Sequence, residues 1–243
     1  MENNVRHKAI FLAELMKEHW DLFENNNFDA IYDAIWLQEI DREIHLFTEL
    51  FCDLGVNPLP YLKKIPYCFM YFGDASKCDY QTLRIGGNIE EILGFAFDRC
   101  SNLKSVYLSP SKPIIIGECA FSQCANLELV TLEKNVKKLN DHEFAFDKNL
   151  QTVNLCEGLE YLGRNSFQGC GALKHIKLPN SLTQIGQDCF RLSGLEDITI
   201  PGSVEEIPLS CFYRCEDLKK INIKDGVKRI QRDALQGTSV ETV

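Results

Sequence analysis

The feature that most constrains this chain is a ladder of phenylalanines, Phe97, Phe121, Phe144, Phe167, Phe190 and Phe212, with Leu235 on the next rung, at spacings of 24, 23, 23, 23, 22 and 23 residues. A fixed period of this length is the signature of stacked repeats, each packing only on its neighbours. A wider frame recurs with it, as in Leu162-Gly163-x-x-Ser166-Phe167-x-x-Cys170-x-x-Leu173-x-x-Ile176-x-Leu178-Pro179 and Ile207-Pro208-x-x-Cys211-Phe212-x-x-Cys215-x-x-Leu218-x-x-Ile221-x-Ile223. Each unit holds two short apolar segments, such as Leu173-x-x-Ile176-x-Leu178 and Leu182-x-x-Ile185, separated by Pro, Gly, Asn or Ser, and these read as strands. So few apolar side chains cannot bury themselves in a lone unit. Coils stacked at strand spacing, about 5 Å, would set Phe on Phe and Leu on Leu in one continuous core.

Repeated in register from about Leu62 to Val243, the frame Ile-Gly-x-x-Ala-Phe-x-x-Cys-x-x-Leu-x-x-Val-x-Leu-Pro resembles the BspA-type leucine-rich repeats of bacteria, bacterial viruses and some protists. The resemblance implies a curved right-handed solenoid with a parallel β-sheet on its concave face, and a role in binding proteins rather than in catalysis. The expected fold is thus an α+β repeat protein: a leucine-rich-repeat solenoid of about eight coils over residues 61–243, preceded by a small helical N-terminal domain, residues 1–60. The first coil is degenerate, Leu62-x-x-Ile65-Pro66-x-x-Phe69 closed by Leu83-x-Ile85, with an insertion near residues 73–79. Glu143 replaces the small residue before Phe144, Asp147 replaces the Cys, and the coils at Ser193-Gly194-Leu195 and Thr238-Ser239-Val240 are one residue short. These departures are expected to leave the fold intact and the surface irregular.

Charge separates the two parts. The chain carries −9 overall, yet residues 1–60 hold 12 Asp and Glu against 4 Lys and Arg. Within that block, Ile10, Leu12, Ala13, Leu15, Met16, Trp20 and Phe23 recur at helical spacing, and Asn25-Asn26-Asn27 breaks the run. Further helix is expected over residues 29–37 and 38–53, closed by Gly55. The block would cover the apolar slice and strand edges that an open solenoid end exposes. Helical starts running into an Ile-Pro-x-x-Phe coil also resemble phage-borne members of the family.

The apolar patch Ala9 to Ala13 is too short and too interrupted by charge for a signal peptide, and no run reaches spanning length. Eleven cysteines include no Cys-x-x-Cys pair. Cys100, Cys124, Cys170 and Cys215 share one frame position, and Cys119, Cys189 and Cys211 are assigned to the interior position ahead of the Phe. Reduced, packed thiols are expected, and with them a cytoplasmic location.

No motif for chemistry survives the repeat explanation. There is no phosphate-binding Gly-rich loop, no Gly-x-Ser-x-Gly and no His-Glu-x-x-His; His142-Glu143 is followed by Phe144-Ala145-Phe146. Neither enzyme activity, metal nor cofactor is expected. In Leu-x-x-Val-x-Leu the x positions face outward, which makes Tyr107, Leu129, Thr131, Asn154, Lys174, His175 and Lys177 the candidate protein-binding residues of the concave face. Tyr107 and Leu129 read as an exposed apolar pair, and Lys174, His175 and Lys177 as local positive charge opposed by Glu196 and Asp197. Two readings follow: a module gripping a protein partner through the concave face and the helical block, or a phage-encoded, anti-CRISPR-like inhibitor of a bacterial defence enzyme. In the second, Glu14, Glu18, Asp21 and Glu24 would enter a basic nucleic-acid-binding groove. Direct nucleic-acid binding fits neither, since phosphate contacts need clustered Lys and Arg. Oligomeric state stays open, with nothing polar following the coil at residues 238–243.

Overall fold

Most apolar segments of the repeats become strands, the expected strand at Leu173-x-x-Ile176-x-Leu178 being an exception, and the Phe segment becomes an arch of turns between them. The computed structural model describes residues 64–65, 81–87 and 89–241. The expected helical block, its carboxylates Glu14, Glu18, Asp21 and Glu24, and the insertion near 73–79 lie outside the described residues. Within them there are fourteen short strands and no helix. Six complete turns separate the first long strand from the last.

One face carries the longer strands, β2 (Thr82–Gly87), β4 (Ser105–Pro110), β6 (Leu129–Leu132), β8 (Thr152–Asn154), β11 (Asp197–Ile200) and β13 (Lys220–Ile223). A second face carries two-residue strands, β1 (Lys64–Ile65), β3 (Glu91–Ile92), β5 (Ile115–Ile116), β7 (Lys138–Leu139), β9 (Tyr161–Leu162), β10 (Gln184–Ile185), β12 (Glu206–Ile207) and β14 (Arg229–Ile230). All pairing is parallel and joins neighbouring coils. Like residues therefore meet: Leu83, Val106, Val130 and Val153 form one inward row, and Ile65, Ile92 and Ile116 another. Nearly all of these side chains are buried, in a single cluster with the Phe ladder.

That ladder is a stack. Consecutive rings from Phe97 to Phe212 lie 5.1–5.7 Å apart, with planes tilted by 2–16°. Around each ring the backbone turns through two left-handed residues, at the second position before and after the Phe. They are Phe95 and Arg99, Cys119 and Gln123, His142 and Phe146, Asn165 and Gly169, Asp188 and Leu192, Ser210 and Arg214, and Asp233 and Gly237. Most are not glycine, and the left-handed form costs such residues on the order of 1–2 kcal/mol each. What holds them is a ladder of their own. In the six arches from Phe97 to Phe212 the N–H groups at Phe−2, Phe and Phe+2 donate to carbonyls of the next coil, for example Phe167 N to Cys189 O at 2.8 Å and Phe190 N to Cys211 O at 2.9 Å. Six steps give eighteen such bonds, all donated toward the C-terminus, at 2.7–3.3 Å.

The cysteines complete the arches. The thiols of Cys124, Cys170 and Cys215 donate back one coil to the carbonyls of Phe97, Phe144 and Phe190, at 3.2, 3.1 and 2.9 Å. None of the eight described cysteines is joined in a disulfide. Cys119 departs from its expected place: it stands two residues ahead of Phe121, Ala120 fills the interior slot, and the Cys119 side chain is half-buried. Burial and the nearby Asp98 carboxylate push its thiol up to about 12. Four residues before Phe167 the backbone is tight as well, since a Cβ on Gly163 would collide with the Asn140 carbonyl oxygen.

Glu143 and Asp147 were expected to roughen the surface, but both are fully buried, because Phe−1 and Phe+3 are inward positions of the arch. One Asp147 oxygen accepts the Cys124 amide at 2.7 Å. The other has no partner, and neither Glu143 oxygen does, although the Asn140 backbone lies nearby outside good hydrogen-bond geometry. Burial pushes both carboxyls well above the usual range.

Candidate functional site

Outward side chains of the long-strand face form two rows. Thr82, Ser105, Leu129 and Thr152 stand in register in one, and Arg84, Tyr107, Thr131 and Asn154 in the other. The rows are tied from coil to coil. The Thr82 and Ser105 hydroxyls are 2.9 Å apart, Asn154 Nδ2 donates to Thr131 Oγ1 at 3.1 Å, and the Arg84 guanidinium lies 4.0 Å from the centre of the Tyr107 ring. A cation on an aromatic face adds about 0.5–1 kcal/mol at an exposed site and fixes the ring.

Tyr107 and Leu129 are therefore diagonal neighbours rather than directly paired, and both are half-buried. Thr131 and Asn154 continue the Tyr107 row. Arg84 also belongs to this row, and its interval of 23 residues from Tyr107 is the signal for it in the sequence.

Lys174, His175 and Lys177 stand apart from these rows. Their segment, between Leu173 and Pro179, is not a strand, and the long-strand face is split there into a four-stranded sheet, β2-β4-β6-β8, and a two-stranded one, β11-β13. One backbone bond, Glu196 N to Lys174 O at 3.0 Å, carries it forward. Lys174 is neutralised on the spot, 2.8 Å from Asp217 and 3.7 Å from Glu196. The Asp217 carboxylate raises the Lys174 pKa and is itself lowered by the ammonium. His175 Nδ1 sits 2.7 Å from Asp197. Lys177 is exposed and has no ion pair among the described residues.

Chemically the face can hydrogen-bond and pack. Among the described residues no group of three or more His, Cys, Asp or Glu could hold a metal ion.

Residues 67–194 and 142–243 match the BspA type leucine-rich repeat region, in six copies. The chain belongs to the BspA-type leucine-rich repeat family. The fold of this leucine-rich repeat protein is similar to that of the leucine-rich repeat protein of T. pallidum, with a TM-score of 0.53 and 24% identity, covering 58% of this chain and 70% of that one. It is also similar to a leucine-rich repeat protein from Eubacterium ventriosum ATCC 27560, with a TM-score of 0.50 and 28% identity, covering 61% of this chain and 41% of the other. The repeat protein thus spans less than half of the Eubacterium chain. No curated protein matches it. Tyr107 and Leu129 stand at outward positions of the repeat, flanking the buried Val106 and Val130.

Proposed function

We propose that the protein is a non-enzymatic binding module that grips a protein partner through its long-strand face, centred on Tyr107 and Leu129. The observation that carries this reading is the four-stranded sheet with its two tied outward rows. Half-buried apolar groups ringed by hydroxyl, amide and guanidinium groups are the composition of an interface anchor, and the parallel ladder pre-organises them, which lowers the entropic cost of binding. Lys177 extends the face with an unpaired charge. Reduced, interior thiols agree with an intracellular location. The anti-defence reading rests instead on the acidity of residues 1–60 and would put the contact at Glu14, Glu18, Asp21 and Glu24.

The test is affinity capture from the source cells, then titration of the captured partner with three full-length proteins. Loss of affinity in Tyr107→Ala/Leu129→Ala, with weak dependence on salt, supports the sheet. Loss only in Glu14→Lys/Glu18→Lys, with steep weakening by salt, replaces it by the acidic contact. Wild-type affinity in both removes the sheet and the acidic segment alike.

A further inference from the structure

Between the coils of Phe190 and Phe212 the second face comes apart. On either side of that step, three amides tie one coil to the last. Thr183 and Gln184 donate to the Glu160 carbonyl at 3.0 and 3.2 Å and Gly186 to that of Leu162 at 2.7 Å, and Lys228, Arg229 and Gln231 repeat the set on Glu205 and Ile207 at 2.7, 3.3 and 2.9 Å. At the step itself none of the three bonds forms among the described residues, and β10 and β12 belong to separate sheets. The cause begins in the sequence: Pro208 stands where Gly163 and Gly186 stand in the two coils before it, and proline has no N–H to donate. The arch and the long strands stay joined across the same step, with Phe190 N donating to Cys211 O at 2.9 Å and β11 paired with β13. The coils therefore part on this side alone, and leave the carbonyls of Thr183 and Ile185 and the amides of Glu205 and Glu206 without a backbone partner among the described residues.

A groove of about 660 Å³ lies on this seam, within the size range of small-ligand sites. The four residues with open backbone groups line it, together with Tyr161, Gln184 and Arg229. Its chemistry is selective. Glu205 is 2.8 Å from Lys228 and Glu206 is 2.7 Å from Arg229, so the charges are already matched and favour neither an anion nor a cation. Ile185 is buried, so the groove lacks the apolar walls that hold a greasy ligand. What it offers is donors and acceptors side by side, and a hydroxyl group is both. Sugars carry hydroxyls in adjacent pairs, which suit the planar Gln184 amide, Glu206 carboxylate and Arg229 guanidinium. Tyr161, Gln184, Glu206 and Arg229 hold one frame position in four successive coils. The stacked Phe rings put these coils 5.4–5.5 Å apart, close to the advance of one ring in a linear sugar chain. Tyr161, half-buried at one end of the row, supplies an aromatic surface for a sugar ring.

We propose that the seam groove is a binding site for a neutral saccharide, a short chain of sugar rings lying across the coils from Tyr161 to Arg229. The inference is independent of the long-strand face and would stand if that face bound nothing.

The full chain, applied to an array of neutral and acidic glycans and then titrated by calorimetry with the neutral chains it retains, tests it. Affinity should rise with each added ring until the row of four coils is filled. Tyr161→Ala and Gln184→Ala should each weaken binding by about tenfold, the effect of losing one contact. Thr183→Arg, at an exposed position, should block the groove. Pro208→Gly is the sharpest variant, because it restores the amide that Gly163 and Gly186 donate; it should close the seam and weaken binding while the unfolding midpoint stays level or rises. Tyr107→Ala/Leu129→Ala should bind the saccharide as the wild type does. Retention of no neutral glycan overturns the proposal, and so does a preference for acidic chains. Binding that survives both Thr183→Arg and Pro208→Gly, or that is lost in Tyr107→Ala/Leu129→Ala, places the sugar elsewhere and overturns it too.

Discussion

The arch and the long-strand face run side by side through the same coils, yet they are maintained differently. The arch keeps its three amide bonds at every step from Phe95 to Gln236, through the replacements Glu143 and Asp147 and through the shortened coil at residues 193–195. The long-strand face loses its ladder at residues 174–178 although Ile176 and Leu178 stay inside. Integrity of the solenoid therefore resides in the arch and its ring stack. The opposite face is free to vary, and the outward residues that could choose a partner lie there.

The comparison breaks most directly at the centre of the stack. Phe167→Ala removes a ring held between Phe144 and Phe190 and should destabilise by about 3–5 kcal/mol, read as a lowered denaturant midpoint; a loss as small as that of a surface change would mean the arch does not carry the fold. Next comes the pair of buried acids. Their folded pKa values are raised, so below the ordinary carboxylate range folded and unfolded chains are both protonated and stability is full. As pH rises toward the folded values the unfolded chain releases protons that the folded one keeps, and stability falls. Glu143→Ala, the residue at Ala96, Ala120 and Ala234, together with Asp147→Asn should flatten that decline and raise stability at pH 8 by roughly 1–3 kcal/mol. An unchanged slope between pH 5 and 8 would show that the carboxyls reach solvent.

A smaller effect tests the strain of the arch. Ser210 holds φ at 52°, and Ser210→Gly should gain up to about 1 kcal/mol, the relief of the left-handed form less the extra freedom of glycine when unfolded; a net loss would place the strain elsewhere. The smallest is on the opposite face, where Asn154→Ala removes one exposed bond to Thr131 and should move stability by no more than about 0.5 kcal/mol. A change rivalling Phe167→Ala would erase the distinction between the two sides.

Much of this was readable in the residues. The Phe interval gave the coil, and the Leu-x-x-Ile-x-Leu pattern gave the inward lattice, because burial imposes the same chemistry at the same phase in each repeat. The left-handed pairs were not readable: apart from Gly169 and Gly237, the residues there range from Phe95 to Ser210 and Asp233, since the conformation is imposed by neighbouring coils rather than by local preference. Nor was the break at residues 174–178, where the inward pattern is among the clearest in the chain. Lys174 was expected to be opposed by Glu196 and Asp197, while its nearer partner, Asp217, lies two coils away, beyond the single-coil offset at which neighbouring residues are compared. Of the proposed contact group, the diagonal of Tyr107 and Leu129 follows from strand phase, while the stacking of Arg84 on Tyr107 depends on a rotamer.

The one-way amide ladder also bears on how such a chain can be edited by insertion and deletion. Arch amides engage at every second residue, so a single residue added within that span would turn donors away from acceptors in both neighbouring coils. The coils that differ in length obey this. Those at residues 193–195 and 238–240 are short in the turn after the arch, and the 24-residue period from Phe97 to Phe121 carries its extra residue between Leu108 and Ile116, in the turn after a long strand. Change by single residues is confined to the two corners, and change inside the arch must come as a whole coil. A gene encoding this fold can thus be lengthened by duplication or reshaped at its corners, and its central span passes between copies as an indivisible unit.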